Sequence, residues 1–221
     1  MKMLLWLSVV MALAGCGESS VMYYRLQSRP LAQPASAPLC GSVRIKPFTI
    51  ASAYETEYIL TTDSTNAINT HYYDRWIQEP HELVTDFFID NFQTRRLFCE
   101  ITDQTSSALQ ADYALEGRVL DMLGSDNGNI QFRLALSLTT NALIADEPKV
   151  LLHKVYSASA PRWTNENFAS LASAMEQAVA AIADSVAVDI RRTCNNETLV
   201  RRTSCEGCMN AAQDASERPI R

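Results

Sequence analysis

The chain lacks the short motifs that mark several large enzyme classes. It contains no Gly-x-Ser-x-Gly, no phosphate-binding loop and no His-Glu-x-x-His, so the nucleophilic, nucleotide-binding and zinc-hydrolase signatures are missing. Its 3 histidines (His71, His81 and His153) are scattered, which argues against a His-rich metal site. These absences favour a protein that is not an enzyme and holds no metal or cofactor.

Basic charge is also scarce. The chain has 19 Lys and Arg against 25 Asp and Glu, a formal net charge of −6, and no basic patch, so nucleic-acid binding has no electrostatic support. Beyond the N-terminus we expect no stretch apolar enough to cross a membrane. The apolar and charged fractions, 47% and 20%, are those of an ordinary globular domain.

The N-terminus carries the most specific signal. Lys2 precedes an apolar run over residues 3–12, too short to span a bilayer, and Leu13-Ala14-Gly15-Cys16 follows. This arrangement resembles the bacterial lipobox, in which the peptide is cut before a cysteine whose thiol carries diacylglycerol. A plain signal peptide followed by an ordinary cysteine is the alternative. We expect residues 1–15 to be the signal peptide and Cys16 the lipidated first residue.

Gly17 follows the lipidated position, where lipoproteins retained at the inner membrane typically carry Asp. The resemblance therefore implies an outer-membrane anchor facing the periplasm, with Glu18 leaving the inner membrane as the alternative. Residues 16–20 would form a lipidated tether, residues 21–194 one domain, and residues 195–221 a polar tail.

Hydrophobic periodicity predicts an α/β (α+β) domain with a mixed, mostly antiparallel sheet and two long helices packed on one face. Residues 130–140 alternate apolar and polar side chains, and residues 111–159 form a three-stranded meander. Further strands are expected at residues 21–27, 43–48, 58–60, 69–73 and 99–102, with residues 58–60 and 69–73 joined as a hairpin by the polar turn between them. The helices are expected at residues 80–98 and 165–192, the first opened by Pro80 and the second capped by Thr164.

The second helix carries the strongest periodic pattern in the chain. Apolar side chains recur on one side of it at helical spacing, which indicates a core helix. Trp163 and Phe168 occupy the two positions of a hydrophobic staple before and within its first turn.

Five cysteines remain beyond Cys16, and an oxidising periplasm favours disulfides. Cys205 and Cys208 have the spacing of a redox or metal pair, with Cys194 nearby as a third sulfur. A local disulfide of Cys194 with Cys205 or Cys208 is favoured over an intermolecular bond, and over metal or redox work, because no histidine lies in the tail to complete a zinc site.

Cys40 lies just before the strand expected at residues 43–48, and Cys99 opens the strand expected at residues 99–102. If these strands are parallel neighbours joined by a helical crossover, both cysteines stand at the same edge of the sheet, where a disulfide could join them. Burial as separate thiols is the alternative.

Tyr72, Tyr73 and Trp76 form an aromatic cluster just before the first helix. Such a cluster packs into the core under the helix start, or it forms a partner interface, because Tyr and Trp are favoured at contact centres. Both interpretations stay open from the sequence.

The order of motifs resembles the auxiliary lipoproteins of ABC-type transport systems. The matching pieces are the lipobox, Tyr23-Tyr24, Arg44-Ile45-Lys46-Pro47-Phe48, Tyr72-Tyr73-Asp74-Arg75-Trp76-Ile77-Gln78-Glu79-Pro80, Leu115-Glu116-Gly117-Arg118-Val119 and the Ala-rich last helix. The resemblance covers nearly all of residues 16–192. The tail with Cys194, Cys205 and Cys208 departs from it.

The resemblance implies a non-catalytic periplasmic lipoprotein that docks the MCE-domain and ABC transporter subunits of an intermembrane lipid transport system, with a homo-oligomer as a further expectation. Two alternatives come from other classes of protein. One is an outer-membrane activator of a cell-envelope machine, and the other is a periplasmic thiol or metal protein that uses the tail cysteines.

Overall fold

The computed structural model describes residues 20–28, 38–102, 111–141, 147–158, 162–164 and 167–196. These residues form nine strands and two α-helices, a single α/β domain around one mixed sheet. The strands are β1 (Met22–Tyr24), β2 (Leu39–Ile45), β3 (Thr49–Ile50), β4 (Tyr58–Thr62), β5 (Ile68–Trp76), β6 (Phe98–Thr102), β7 (Tyr113–Ser125), β8 (Ile130–Thr140) and β9 (Val150–Ala158). The helices are α1 (Pro80–Thr94) and α2 (Phe168–Asn196).

The long strand β7 organises the sheet. One of its edges pairs with β8 over almost its whole length, and β8 pairs in turn with β9. The other edge pairs with three parallel strands in succession, β2, β3 and then β4. Beyond β4 lie β5 and β1, beyond β2 lies β6, and β9 forms the edge on the opposite side of β7.

The predicted mixed sheet, hairpin and meander are confirmed. Antiparallel pairing dominates only by length, because the antiparallel β7–β8 and β8–β9 ladders are the longest. Five shorter pairs are parallel: β1–β5, β2–β6, β2–β7, β3–β7 and β4–β7. The parallel pairs arise because β2, β3 and β4 line up along a single edge of β7.

Both helices pack on one face of the sheet, as predicted. Helix α2 lies on β8 and β9, α1 lies on β3, β6 and β7, and the two helices touch each other. The apolar positions of β8 are buried beneath them, at Ile130, Phe132, Leu134, Leu136 and Leu138. Val179, Val186 and Ile190 of α2 have no exposed surface, which confirms its apolar stripe as core.

The helix boundaries differ from the prediction in two places. Helix α1 ends at Thr94, not at residue 98, because Arg96 takes a left-handed φ of 48° and breaks the helical path. Helix α2 is capped by Asn167, not by Thr164, and the Asn167 Oδ1 accepts the backbone N–H of Ser170 at 3.0 Å.

The aromatic contact predicted ahead of α2 is present. The rings of Trp163 and Phe168 stack with centroids 6.0 Å apart. Contrary to expectation, Phe168–Cys194 of α2 is long and apolar enough to cross a membrane by length and composition, although 56% of its most apolar window is buried in the fold. That burial accounts for the apolar composition without a bilayer.

Candidate interaction surface

The three aromatic residues that the sequence grouped together all lie on β5 but differ in exposure. Trp76 is only 2% exposed, whereas Tyr72 and Tyr73 are 63% and 56% exposed. The backbone N–H of Trp76 donates to the Glu57 carbonyl at 2.7 Å, which holds the end of β5 against the chain before β4. Trp76 therefore takes the core role that the sequence left open, and only the two tyrosines remain available to a partner.

Tyr72 belongs to a cluster that spans the β4–β5 hairpin. Its ring meets the edge of Tyr58 with centroids 5.2 Å apart, and the Arg75 guanidinium lies 4.7 Å from the centre of the Tyr58 ring. The Arg75 Nε–H also donates to the Tyr72 carbonyl at 3.0 Å. These contacts follow from the register, because Tyr58 and Arg75 are paired across the hairpin.

Strand β1 adds a further tyrosine to this cluster. Tyr23 is 56% exposed and is the register partner of Arg75 in the parallel β1–β5 pair. We call Tyr23, Tyr58, Tyr72 and Arg75 the tyrosine edge. The sequence grouping missed Tyr23, Tyr58 and Arg75; the available signal was the predicted Tyr58 to Tyr73 hairpin, which brings Tyr58 opposite the end of β5.

Tyr24 holds β1 against the end of β5 through one side-chain and one backbone hydrogen bond. Its hydroxyl donates to the Asp74 Oδ1 at 2.9 Å, and its carbonyl accepts the backbone N–H of Ile77 at 2.8 Å. Burial, followed by the nearby Asp74 carboxylate, raises the pKa of Tyr24 to about 12. Tyr24 therefore remains a neutral donor, and the short strand that presents Tyr23 is held in place.

The edge beyond these residues is uncovered in the described part of the chain. There β1 pairs only with β5, and only through Asp74, Arg75 and Trp76. Met22 and Ile77, which flank the tyrosine edge, are 52% and 56% exposed. An amphipathic strip therefore runs along this side of the sheet.

The two cysteines predicted to share a sheet edge do lie on neighbouring strands. Cys40 belongs to β2 and Cys99 to β6, which are parallel, and Leu39 is opposite Phe98 in their register. Cys194 lies on α2 and is 6% exposed. Cys16, Cys205 and Cys208 fall outside the described residues, so the lipidation site and the tail pair stay predictions.

The remaining polar side chains build no metal cluster within the described residues. His71 is half-buried, its Nε2 is 2.8 Å from the Thr61 hydroxyl, and its ring packs against Phe168 with centroids 4.5 Å apart. Burial lowers the pKa of His71, with Asp74 and Asp126 acting in the opposite direction. This histidine ties β5 to the start of α2 and serves the fold.

A shallow depression of about 480 Å³ lies between β7, β8 and the residues after β2. The Lys46 ammonium and the Glu116 carboxylate form an ion pair of 2.5 Å there, and the polar lining also includes Thr49, Arg118, Ser137 and His153. The pair is about half exposed, and solvated pairs of this kind contribute little to binding or stability.

The described residues form one mixed sheet that is covered on one face by two helices. A family model, the ABC-type transport auxiliary lipoprotein component, matches residues 24–187. The chain belongs to this family, whose members are auxiliary components of membrane transport and lipoproteins of the cell envelope. None of the curated proteins matches the chain.

Solved structures show the same fold. A Xanthomonas campestris protein of the DUF330 family is similar with a TM-score of 0.66 and 14% identity, over 78% of this chain and 98% of the other. A second structure, described as an uncharacterized protein, has a TM-score of 0.61 and 10% identity, over 77% and 99% of the two chains. At these identities the likeness concerns architecture alone.

Proposed function

We propose that this protein is a non-catalytic lipoprotein, acylated at Cys16 and held at the outer membrane facing the periplasm. There it docks the MCE-domain subunits of an ABC-type system that moves lipid between the two membranes. The observation that carries this proposal is the family match over residues 24–187, which spans nearly the whole described domain. The Leu13-Ala14-Gly15-Cys16 sequence before it supports the anchor.

The exposed tyrosines support a contact role. Tyr72 and Tyr73 are the two most exposed aromatic side chains of β5, and tyrosine is enriched where proteins make contacts because its ring buries area while its hydroxyl stays polar. A fold that needed them for stability would have buried them as it buries Trp76. Tyr72 and Tyr73 therefore form a contact surface of the anchored protein.

The anchor and the partner are tested together by purification from membranes. The intact protein, extracted in mild detergent, should carry acyl mass on Cys16 and should co-purify with an MCE-domain protein identified by mass spectrometry. The Cys16→Ala variant should lose the acyl group and leave the membrane fraction. A mature N-terminus at another residue contradicts the anchor, and capture of a cell-wall or secretion machine instead of an MCE protein favours the activator alternative.

We also propose a disulfide between Cys40 and Cys99. The parallel register of β2 and β6, with Leu39 opposite Phe98, supports it. The bond would close a loop of about 60 residues and contribute about 4 kcal/mol on the chain-entropy model. Reduction, or Cys99→Ser, should lower the thermal midpoint accordingly.

A peptide map without reduction decides the pairing. It should contain a Cys40–Cys99 cross-linked peptide, and for the tail it should join Cys194 to Cys205 or Cys208. Alkylation of Cys40 and Cys99 without prior reduction would remove the first disulfide. Alkylation of Cys194, Cys205 and Cys208 would remove the second, and bound zinc in the same sample would favour the metal alternative.

A further inference from the structure

We propose that the tyrosine edge lies against the surface of the phospholipid bilayer that holds the anchor. The inference rests on the proposed acylation of Cys16 and names the occupant of the surface. It assigns Tyr23 and Tyr72 to the lipid headgroup region, with the Arg75 guanidinium beside them.

Chain length keeps this edge close to the membrane. Met22, the first residue of β1, lies six positions after Cys16, and a fully extended chain of that length spans at most about 22 Å. The opposite edge, β9, is five strand spacings from β1, about 24 Å at the usual spacing between strands. An acyl group at Cys16 therefore holds β1 within reach of the bilayer.

The exposed apolar side chains are concentrated on the same edge. Among the described residues, seven of the ten large hydrophobic side chains that are exposed lie on β1, on β5 or directly beside them. These seven are Val21, Met22, Tyr23, Ile68, Tyr72, Tyr73 and Ile77. The other three, Val150, Val155 and Val188, are single valines on β9 and α2. Of these ten exposed side chains in the described part of the chain, the aromatic ones, Tyr23, Tyr72 and Tyr73, all lie at the tethered edge.

The chemistry of the edge suits lipid headgroups. Tyrosine rings favour the boundary between water and lipid, because the ring is apolar and the hydroxyl is polar. Arg75, fixed over Tyr58, is the cation of the cluster and can meet a lipid phosphate. The chain as a whole carries a net charge of −6, which opposes binding to anionic lipid. Because the tyrosines make the contact, we expect zwitterionic vesicles to be sufficient for binding of this edge to lipid.

The experiment places a photoreactive probe on each edge of the sheet. The acylated full chain, with benzoyl-phenylalanine in place of Tyr72, is reconstituted in vesicles of phosphatidylethanolamine and phosphatidylcholine and irradiated. The matched control carries the same probe in place of Val155, which is 52% exposed on β9. Mass spectrometry should find lipid adducts at the Tyr72 position in several-fold excess over the Val155 position.

Three outcomes would overturn the proposal: equal lipid adducts at the two positions, no adduct at the Tyr72 position, or, in intact cells, cross-linking of that position to a protein in place of lipid. The last would assign the edge to a transport partner.

A second arm separates this proposal from that of the anchor. A Cys16→Ser chain with an N-terminal His tag is bound to vesicles that contain a nickel-chelating lipid and carries the same two probes. Preferential labelling at the Tyr72 position in this arm supports the membrane-facing edge even if native Cys16 proves not to be acylated. Equal labelling here rejects the edge while leaving acylation of Cys16 intact.

Discussion

The two edges of the sheet use tyrosine in opposite ways. On β9, Tyr156 is 5% exposed, and its hydroxyl donates to the Asp189 Oδ2 of α2 at 3.0 Å. On β1, Tyr23 is 56% exposed. The same side chain stabilises the fold at one edge and is available for contact at the other. Tyr156 is buried because α2 packs on β9 and supplies the Asp189 carboxylate.

Each edge nevertheless has one tyrosine bound to a carboxylate. Burial, followed by the Asp189 hydrogen bond, raises the pKa of Tyr156 well above its usual range, as burial and Asp74 do for Tyr24. The β1 edge differs from the β9 edge because it also carries two exposed tyrosines, Tyr23 and Tyr72. The comparison indicates that these two contribute little to folding.

The largest effect is expected where α2 covers the sheet. Val179→Asp places an unpaired carboxylate at a position with no exposed surface and should cost more than about 4 kcal/mol, enough to abolish folding. Val188→Asp, at a 56% exposed position of the same helix, should change stability by less than about 0.5 kcal/mol. Circular dichroism and thermal melts compare the two variants. Equal losses of stability would show that the packing of α2 on the sheet does not stabilise the fold.

The next effect contrasts two aromatic residues of β5. Trp76→Ala leaves a cavity in the hydrophobic core and should cost about 3–5 kcal/mol in urea denaturation. Tyr72→Ala removes one exposed ring with a single edge contact and should cost about 0.5–1 kcal/mol. A stable Trp76→Ala protein would place Trp76 in the interface after all.

Asp189 tests the covered edge through pH. Hydrogen bonds from Lys154 and Tyr156 lower the pKa of this carboxyl, with Lys154 the larger cause, against an opposing effect of burial. Because its pKa is depressed in the folded state, its stabilisation is present above about pH 4, the pKa of an unfolded aspartate, and is lost as the pH falls through the folded pKa.

The Asp189→Asn variant should therefore lose about 1–2 kcal/mol at neutral pH. Its urea midpoints should converge with those of the parent protein in acid. The control is Asp184→Asn on the same helix, whose ion pair with Arg95 leaves the carboxylate 57% exposed, so it should change stability by less than about 1 kcal/mol. Parallel curves for the Asp189 variant and its parent would contradict the role of the charge.

The smallest effect concerns His71, which joins β5 to α2. Burial lowers its pKa in the folded protein, so stability should be complete above about pH 6.5, the unfolded value, and should decline as the pH falls below it. His71→Gln should flatten this slope between pH 7 and 5 in urea titrations. His153→Gln, at an exposed position of β9, should retain it.

Local patterns predicted the elements that bury one regular face. The range predicted for the middle strand of the meander, residues 130–140, matches β8 to the residue, because alternation with period two leaves no other assignment. The prediction missed the end of α1, since the positive φ of Arg96 has no signature in a non-glycine residue. Phe92 lies off the regular apolar stripe of α1 but has no exposed surface, and α1 contacts both the sheet and α2.

The candidate surface was predicted only in part. The richness of residues 72–76 in aromatic side chains singled out Tyr72 and Tyr73, but local sequence does not separate them from Trp76. Tyr23, Tyr58 and Arg75 join Tyr72 only through the β1–β5 and β4–β5 registers. Such registers depend on long-range packing, so no single stretch of sequence encodes them.

By itself, the sequence determined the family, the two helices, the meander and the residues that could carry an anchor, because these depend on short motifs and on periodicity along the chain. Only the tertiary structure decided which aromatic residues are buried and which edge of the sheet stays uncovered. The physical reason is that exposure depends on what another part of the chain places over a residue: α2 packs on β8 and β9, whereas Tyr23 of β1 remains 56% exposed.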